Sequence, residues 1–297
     1  MPANRDNALY ENRLSRLLVG VVRKGFKMGG QLAPGLAVRA GAWLMTKPKR
    51  TSSPAHEMEW LLRARRVSVS YAEQRLAILE WGEGPAVLFV HGWCSRGLRF
   101  SRMIAPLLEA GFRVVVFDAP AHGRSSGTHI NILQWSEAIL AVTKQVGPIY
   151  GLVAHSIGVT ASVLALESGL KPEKVVFVSP LTDIGGAFVH FSAALHIPDK
   201  VSQGMIRHFE AIFDRSIDKI DAMRVARQIQ TPPLLIFHDK EDQVLSHSRA
   251  EDLVKAWQCA ELITTSGNGH HSILDDPGVV RTTISFLSRA PKAPPAD

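Results

Sequence analysis

A serine set between small residues is the feature of this sequence that points most directly to chemistry. Ser156 follows the apolar run 149–154 and precedes apolar residues at helical spacing, which predicts a strand, a sharp turn and a helix. Ala154 and Gly158 are small enough to let the strand and the helix pass each other. Such a turn exposes the hydroxyl beside the first N–H groups of the helix. The alternative interpretation is a serine that caps an ordinary helix.

A serine hydroxyl is a poor nucleophile at neutral pH, so this chemistry requires two further side chains. A base must lie within hydrogen-bond reach of the hydroxyl. An acidic group must then fix the tautomer of the base and stabilise its charge.

Strands alternate with helices along most of the chain. Continuous apolar runs, typical of strands covered on both faces, occur at 86–90, 114–117, 175–178 and 234–237, with helical patterns between them. Residues 67–80 alternate with period two, as antiparallel strands do. This rhythm predicts an α/β fold with a mostly parallel, doubly wound sheet.

One segment interrupts this rhythm. Residues 181–228 carry helical spacing and no strand pattern, and they follow the strand pattern at 175–178. We expect them to form a helical lid over the C-terminal edge of the sheet, where such folds bind ligands. Phe188 and Phe191 are the predicted substrate contacts in this lid.

The turn around Ser156 resembles the nucleophile elbow of the α/β-hydrolase superfamily, usually written G-x-S-x-G, with Ala154 for the first glycine. The resemblance covers roughly residues 67–290 in five motifs that occur in the expected order. It implies an α/β-hydrolase fold with an inserted helical lid, in the serine-nucleophile branch of esterases, lipases and thioesterases. A serine at the elbow argues against the dehalogenase and epoxide hydrolase branches, which have Asp there.

The resemblance also implies where the acid and the base lie. The acid follows the strand after the lid, where Asp242 matches the family pattern and Asp239 and Glu241 are alternates. The histidine follows the last strand, where His270 comes directly after a glycine and His271 is the alternate. A metal site at this pair is not expected, because adjacent histidines point in different directions and no third ligand has suitable spacing.

Two backbone N–H groups are the expected oxyanion hole. Ile157, directly after the nucleophile, supplies one of them. By resemblance Trp93, in the run His91-Gly92-Trp93 after the first buried strand, supplies the other and lines the acyl site with its indole. His155 is a further predicted substrate contact, whereas His91 is expected to brace its loop without titrating in catalysis.

A second superfamily signature occurs at residues 118–125. The run Asp118-Ala-Pro-Ala-His122-Gly-Arg-Ser resembles the D-x-P-G-H-G-x-S turn, with Ala121 for glycine. We expect a structural role for this turn behind the elbow, and a catalytic role of His122 is the less favoured alternative.

The basic character of the chain is concentrated at its N-terminal end. Of the formal net charge of +7, about +9 lies in residues 1–66 and the remainder of the chain is slightly acidic. An amphipathic pattern occurs in residues 12–27, where Leu14, Leu17, Leu18 and Val21 recur at helical spacing. The glycines at 29, 30, 35 and 41, with Pro34, are expected to break the next segment into short pieces. We predict a helical arm over residues 1–66 that packs on the hydrolase domain 67–290, with a flexible tail at 291–297.

The arm has alternative partners. Its basic face at residues 12–27 could lie on an anionic membrane surface, whereas nucleic-acid binding is not expected because no binding module is present. Apolar runs are too short to span a bilayer, and the N-terminus lacks a signal-peptide pattern, so a cytoplasmic location is expected. Cys94 and Cys259 do not indicate a disulfide framework.

The sequence therefore predicts a serine hydrolase that cleaves an ester or thioester through an acyl-enzyme, without a cofactor. The apolar lid favours a hydrophobic acyl substrate. Carbon–carbon bond hydrolysis and acyl transfer use the same triad and remain alternatives. A non-catalytic binding protein with a hydrolase fold is the alternative from a different class.

Overall fold

A computed structural model describes residues 13–289 of the chain, with side chains from residue 19 onward. Residues 1–12 and the predicted tail at 291–297 therefore lie outside the described residues. The strands are β1 (Arg65–Tyr71), β2 (Gln74–Trp81), β3 (Ala86–Val90), β4 (Arg113–Phe117), β5 (Ile149–His155), β6 (Lys174–Val178), β7 (Leu234–Asp239) and β8 (Ala260–Thr265).

These strands form one eight-stranded sheet in the order β1-β2-β4-β3-β5-β6-β7-β8. The pairs β1–β2 and β2–β4 are antiparallel, and every pair from β4 to β8 is parallel. The predicted mostly parallel sheet with an antiparallel start is thereby confirmed. Strands β3, β6 and β7 are buried at every position, because helices cover both faces of the sheet.

Twelve α-helices accompany the sheet within the described residues. They are α1 (Arg13–Leu32), α2 (Pro34–Met45), α3 (Ala55–Arg63), α4 (Ser101–Glu109), α5 (Ile132–Val146), α6 (Ile157–Glu167), α7 (Ile184–Ala194), α8 (Asp199–Phe213), α9 (Ala222–Ala226), α10 (Ser248–Ala256), α11 (Gly269–Ser272) and α12 (Pro277–Ser288). None of the helices in the described part of the chain has the length and apolar character that crossing a bilayer requires.

The chain divides into two compact units, and the larger unit contains the sheet. It comprises residues 47–183 and the chain from residue 219 onward. Its main core cluster joins apolar side chains of the sheet to those of α3, α4 and α12. Trp60 in α3 meets Trp81 in β2 edge to face, with ring centroids 6.3 Å apart. Within this unit the fold is built from the sheet and its flanking helices, as the strand–helix rhythm predicts.

The smaller unit combines the chain up to Thr46 with residues 184–218, so that it contains α1, α2, α7 and α8. Glycines allow the helices of this unit to approach closely. A Cβ atom on Gly41 would lie 2.5 Å from Sδ of Met205, and one on Gly204 would lie 2.5 Å from Cγ2 of Val38. The expectation that Gly29, Gly30, Gly35 and Gly41, with Pro34, break this segment into short pieces holds only at Pro34, where α2 begins after α1 has ended at Leu32. The glycines themselves lie within the two helices, and Gly41 serves as a packing surface.

The two units divide the chain at other points than the predicted domains do. Residues 47–66, which were assigned to the arm, belong to the larger unit. Two contacts illustrate this: Leu61 is part of the main core cluster, and Glu57 forms a buried ion pair with Arg96. The predicted helical insertion after β6 is present as α7 and α8. Its action as a lid stays a prediction.

Candidate active site

Ser156 occupies a sharp turn between β5 and α6. The strand ends at His155 and the helix begins at Ile157, so the turn consists of Ser156 alone. Its backbone has φ 56° and ψ −127°, a combination that non-glycine residues rarely adopt and that marks functional turns. Gly158 permits this turn, because a Cβ atom there would lie 2.5 Å from the carbonyl oxygen of His91. The predicted strand, turn and helix are thus present around the serine.

The structure brings Ser156, His270 and Asp242 together. Nε2 of His270 lies 3.0 Å from Oγ of Ser156, and its Nδ1 lies 2.8 Å from Oδ2 of Asp242. A carboxylate only accepts hydrogen bonds, so Nδ1 carries the proton and Nε2 is free to accept the proton of the serine hydroxyl. Ser156 and His270 are buried, at 8% and 4% exposure, and the side chain of Asp242 is fully buried. This arrangement allows the imidazole to act as a base toward the hydroxyl.

The carboxylate of Asp242 is held by its own loop. Its Oδ1 accepts hydrogen bonds from the N–H groups of Val244 and Leu245 at 2.8 and 2.9 Å. Its Oδ2 lies 3.3 Å from Nε2 of His238, which also donates to the carbonyl oxygen of Leu245. Burial opposes the charged carboxylate, but the contacts with His238 and His270 outweigh burial and lower the pKa of Asp242 well below its usual range. Asp242 therefore stays ionised beside the imidazole.

The two alternate acids have other partners. Oδ2 of Asp239 accepts the hydroxyl of Thr265 at 2.7 Å and the N–H of Asn268 at 3.1 Å. Burial opposes ionisation of Asp239, and these hydrogen bonds together lower its pKa. Glu241 is exposed and accepts a hydrogen bond from Ser266. Neither alternate carboxylate bonds to a histidine ring.

His155 lies beneath the imidazole of His270. The ring is 3% exposed, and its Nε2 donates to the carbonyl oxygen of His270 at 2.9 Å. Burial, and then the neighbouring His270, lower the pKa of His155 well below its usual value, so the ring is neutral. These contacts position the turn that carries His270, and the substrate contact expected of His155 stays a prediction.

His271, the alternate base, lies against His270, with ring centroids 4.9 Å apart. Its ring is exposed, and its carbonyl oxygen accepts a hydrogen bond from Arg99 at 2.7 Å. Arg99 also forms a two-point ion pair with Asp275. Arg99 thus braces the turn that carries His270. Sequence reasoning missed both Arg99 and the bracing by His155, since their partners are more than a hundred residues away.

The loop predicted to supply an oxyanion donor lies directly against Ser156. A Cβ atom on Gly92 would lie 3.0 Å from Cβ of Ser156 and 2.9 Å from Nδ1 of His155. Only glycine therefore allows this loop to approach so closely. Trp93 follows at once, and Ile157 is the first residue of α6, where N–H groups have no partner within the helix. Both predicted N–H donors thus belong to segments that meet at Ser156.

Two buried histidines hold this loop. Nδ1 of His91 donates to the carbonyl oxygen of Gly92, and its Nε2 accepts the N–H of Ala119 at 3.0 Å. Nε2 of His122 accepts the N–H of Cys94 at 3.2 Å. Burial lowers the pKa of His91 to about 4 and, together with His91, that of His122 to about 3. Both rings are neutral braces, which agrees with the structural roles expected for them.

The turn at residues 118–125 is itself tied to the loop. Oδ1 of Asp118 accepts the N–H of Gly97 at 2.8 Å, and its Oδ2 accepts the N–H of Arg124 at 2.7 Å. The guanidinium of Arg50 donates to four carbonyl oxygens of this region, which belong to His122, Gly123, Ser125 and Gly127. A residue assigned to the arm thus braces the turn, and no local pattern in the sequence indicated it.

The remaining predicted substrate contacts are less closely defined. The ring of Trp93 is half-buried and meets His122 edge to face at 5.4 Å. Phe188 and Phe191 lie on α7 in the smaller unit, where Phe188 is buried against Phe209. The roles of these aromatic side chains toward substrate stay predictions.

His155, His270 and His271 form a group whose ligand atoms lie within 4.8 Å of one another. The structure therefore supplies a third histidine near the pair, which spacing in the sequence did not show. Metal binding would break existing contacts, because both nitrogens of His270 bond to the triad partners and Nε2 of His155 bonds to a carbonyl oxygen. The donor set thus fits the hydrogen-bonded site better than a metal site.

Solved structures with this fold include many hydrolases. An esterase of Pyrococcus furiosus is 18% identical with a TM-score of 0.64, and the alignment covers 82% of this chain and 98% of the esterase. The thioesterase domain of the curacin biosynthetic pathway is 17% identical with a TM-score of 0.56, covering 76% and 99%. A membrane phospholipase A, described as a bacterial virulence factor, is 17% identical with a TM-score of 0.61, covering 92% and 97%. These likenesses show the fold.

A curated relative and a family model add sequence evidence. The non-heme chloroperoxidase CPO-A1 of Kitasatospora aureofaciens is 34% identical over 47 residues, which are 16% of this chain and only 17% of that protein. The model of the Alpha/beta hydrolase family matches residues 87–283, which include the elbow and all three residues of the Ser156–His270–Asp242 arrangement. With this match over most of its length, the chain belongs to the alpha/beta hydrolase family.

Proposed function

We propose that this protein is a serine hydrolase that cleaves carboxylic esters or thioesters through an acyl-enzyme. The observation that carries the proposal is the hydrogen-bonded series from Ser156 Oγ through His270 to Asp242, at 3.0 and 2.8 Å. Distances of this size are those at which a nucleophile transfers its proton to a base. The buried, ionised carboxylate stabilises the imidazolium that forms.

In the proposed mechanism, His270 takes the proton of Ser156 as the oxygen attacks the acyl carbon. The N–H groups of Ile157 and Trp93 then stabilise the negative oxygen of the tetrahedral intermediate. His270 gives its proton to the leaving alcohol or thiol, and the acyl group remains on the serine. A water molecule deprotonated by His270 attacks this ester to form a second tetrahedral intermediate. As this intermediate collapses, the bond between the acyl carbon and Oγ of Ser156 breaks, His270 returns the proton to Oγ, and the acid is released.

A hydrophobic acyl group is the proposed substrate class. The names of the structural neighbours, which include an esterase, a thioesterase domain and a phospholipase, belong to acyl-transfer chemistry on esters and thioesters. Trp93 follows Gly92, whose backbone lies against Ser156, and its half-buried indole is proposed to line an apolar acyl site. The helical insertion after β6 is proposed to act as a lid on this substrate.

Labelling with a fluorophosphonate probe tests the nucleophile directly. The unmodified protein and the Ser168→Ala variant, in which an exposed serine after α6 is removed, are expected to label at equal rates. Ser156→Ala is expected to remain unlabelled while keeping its circular dichroism spectrum. Absence of labelling in the folded unmodified protein would instead favour a non-catalytic binding protein.

A substrate panel tests the reaction class. Nitrophenyl esters and acyl-thioesters of increasing chain length are expected to be hydrolysed, with a higher kcat/KM for the longer acyl chains. Added alcohols separate hydrolysis from acyl transfer, because a transferase would give the new ester in place of the free acid. If only carbon–carbon bonds of diketone substrates are cleaved, the proposal of an esterase is refuted.

A further inference from the structure

The described side chains of helix α1, from residue 19 onward, form two apolar faces, and only one of these two is packed. Phe26 is buried within the smaller unit, where Gly30 lies against Pro198. Three other apolar side chains of α1 are exposed, namely Val21 at 67%, Met28 at 61% and Leu32 at 81%. They are seven and four residues apart, and this spacing places them on one side of a helix. We call them the exposed stripe.

Cationic side chains accompany the exposed stripe. Lys24 follows Val21 by three residues and precedes Met28 by four, so it shares the face of the stripe. Lys27 is exposed next to it. On α2, Leu36 is 67% exposed, and Arg39 lies one helical turn further along and is exposed as well. The described surface of this helix pair thus combines apolar and basic side chains.

We propose that the exposed stripe and its basic residues form a docking surface for an anionic phospholipid bilayer. Helices that lie in a membrane interface insert apolar side chains among the acyl chains and place lysine and arginine among anionic headgroups. The charge decides against a second copy of this chain as the occupant, because two such surfaces would bring like charges together. The proposal concerns binding alone and does not depend on catalysis.

The described part of α1 separates two roles that the sequence pattern gave to a single face. From the pattern, packing on the protein and contact with a membrane were competing fates for one apolar face. In the structure Phe26 is buried on one face of α1, and the exposed stripe on the other face remains accessible to a bilayer. The pattern residues Leu14, Leu17 and Leu18 lie outside the side chains that the structure describes.

Co-sedimentation of the full chain with vesicles tests the proposal. The Ser156→Ala protein is used so that the lipids stay intact. It is expected to sediment with vesicles of phosphatidylcholine containing about one third phosphatidylglycerol at about 50 mM salt, and much less at about 500 mM salt. Vesicles of phosphatidylcholine alone are expected to bind it weakly. Failure to sediment with the anionic vesicles at low salt refutes the proposal.

Two double variants separate the apolar contribution to membrane binding from the electrostatic contribution. Met28→Gln with Leu32→Gln is expected to lower the partition coefficient at least about tenfold. Lys24→Gln with Lys27→Gln is expected to lower it about twentyfold at low salt and to flatten its salt dependence. Leu62→Gln is the matched control, because Leu62 is 74% exposed on α3 in the larger unit. It is expected to bind as the parent does.

The remaining outcomes are also decisive. All substituted side chains are exposed, so the variants are expected to keep the circular dichroism spectrum of the parent. If the spectrum of the Met28→Gln with Leu32→Gln variant changes, the single substitutions at residues 28 and 32 are used in its place. If Met28→Gln with Leu32→Gln binds vesicles as the parent does, the stripe is not the docking surface. If the parent forms dimers in size-exclusion chromatography and the same variant abolishes them, the stripe is an interface between copies and the proposal is overturned.

Discussion

Acid is expected to destabilise this protein through His91 and His122, the two buried histidines that brace the loop at residues 91–94. In the folded state Nε2 of His91 accepts a hydrogen bond from the N–H of Ala119, and Nε2 of His122 accepts one from the N–H of Cys94. Nε2 must therefore be unprotonated in each ring, and each ring is neutral. Their pKa values are about 4 and about 3, whereas an unfolded histidine has a pKa of about 6.5. The unfolded chain therefore binds protons at a higher pH than the folded protein does.

The sign and the size of the effect depend on this difference. Because the folded pKa values are depressed, the stabilising contribution is complete above pH 6.5 and is lost as the pH falls from 6.5 toward 4 and 3. At pH 5 an unfolded histidine is almost fully protonated and both folded rings are still neutral. Linkage then gives a loss of about 2 kcal/mol for each histidine between pH 8 and pH 5, or about 4 kcal/mol together. Such a loss is a large part of the stability of an ordinary domain.

Urea unfolding followed by tryptophan fluorescence at pH 8, 7, 6 and 5 measures this loss. The variant His122→Gln offers a side-chain oxygen as acceptor for the N–H of Cys94 and does not titrate. It is expected to be less stable than the parent at pH 8, but to lose about 2 kcal/mol less between pH 8 and pH 5. The exposed His56→Gln serves as control and should keep the pH dependence of the parent. If His122→Gln retains the full pH dependence, the assignment of His122 as a buried neutral brace is refuted.

Three further variants test the contacts of the site. Asp242→Asn is expected to lower kcat of ester hydrolysis on the order of 10⁴-fold, and kinetics near those of the parent would contradict its role beside His270. Asp239→Asn is expected to act mainly on stability, lowering the unfolding free energy by about 1–3 kcal/mol because Asp239 accepts the Thr265 and Asn268 hydrogen bonds; kinetics impaired as severely as in Asp242→Asn would contradict this division. Gly158→Ala is expected to cost about 2 kcal/mol or more in urea unfolding, since its methyl group would lie 2.5 Å from a backbone oxygen that cannot move aside, and unchanged stability would show that the elbow relaxes.

Local signals allowed the sheet and the elbow to be predicted from the sequence. Buried parallel strands give continuous apolar runs, and each predicted run became a strand with bounds close to those expected. The elbow could be predicted because its requirements are local. The strained backbone at Ser156 requires small residues two positions before and after it, and Ala154 and Gly158 meet this requirement within five residues. Features of this kind depend on neighbours in the sequence.

The braces of the site could not be predicted in the same way. Arg50 reaches the turn at 118–125, Arg99 reaches the carbonyl of His271, and His155 reaches that of His270. Each contact joins segments brought together only by the completed fold. The glycines of α1 and α2 also could not be interpreted from the sequence alone. Gly41 in isolation indicates a break in a helix, whereas in the structure it allows close contact with Met205.

The choice between His270 and His271 shows how a distant contact fixes a local ambiguity. Two adjacent histidines differ only in where the backbone points their rings. Gly269 before them has φ +63°, and the N–H of Asn268 is held by the carboxylate of Asp239 from the end of β7. Asp239 thus orients the backbone of the turn while Asp242 orients the ring of His270. Two aspartates three residues apart therefore have different effects on His270, one on its backbone turn and one on its ring. Because the residue type is the same, the difference in role comes from the fold.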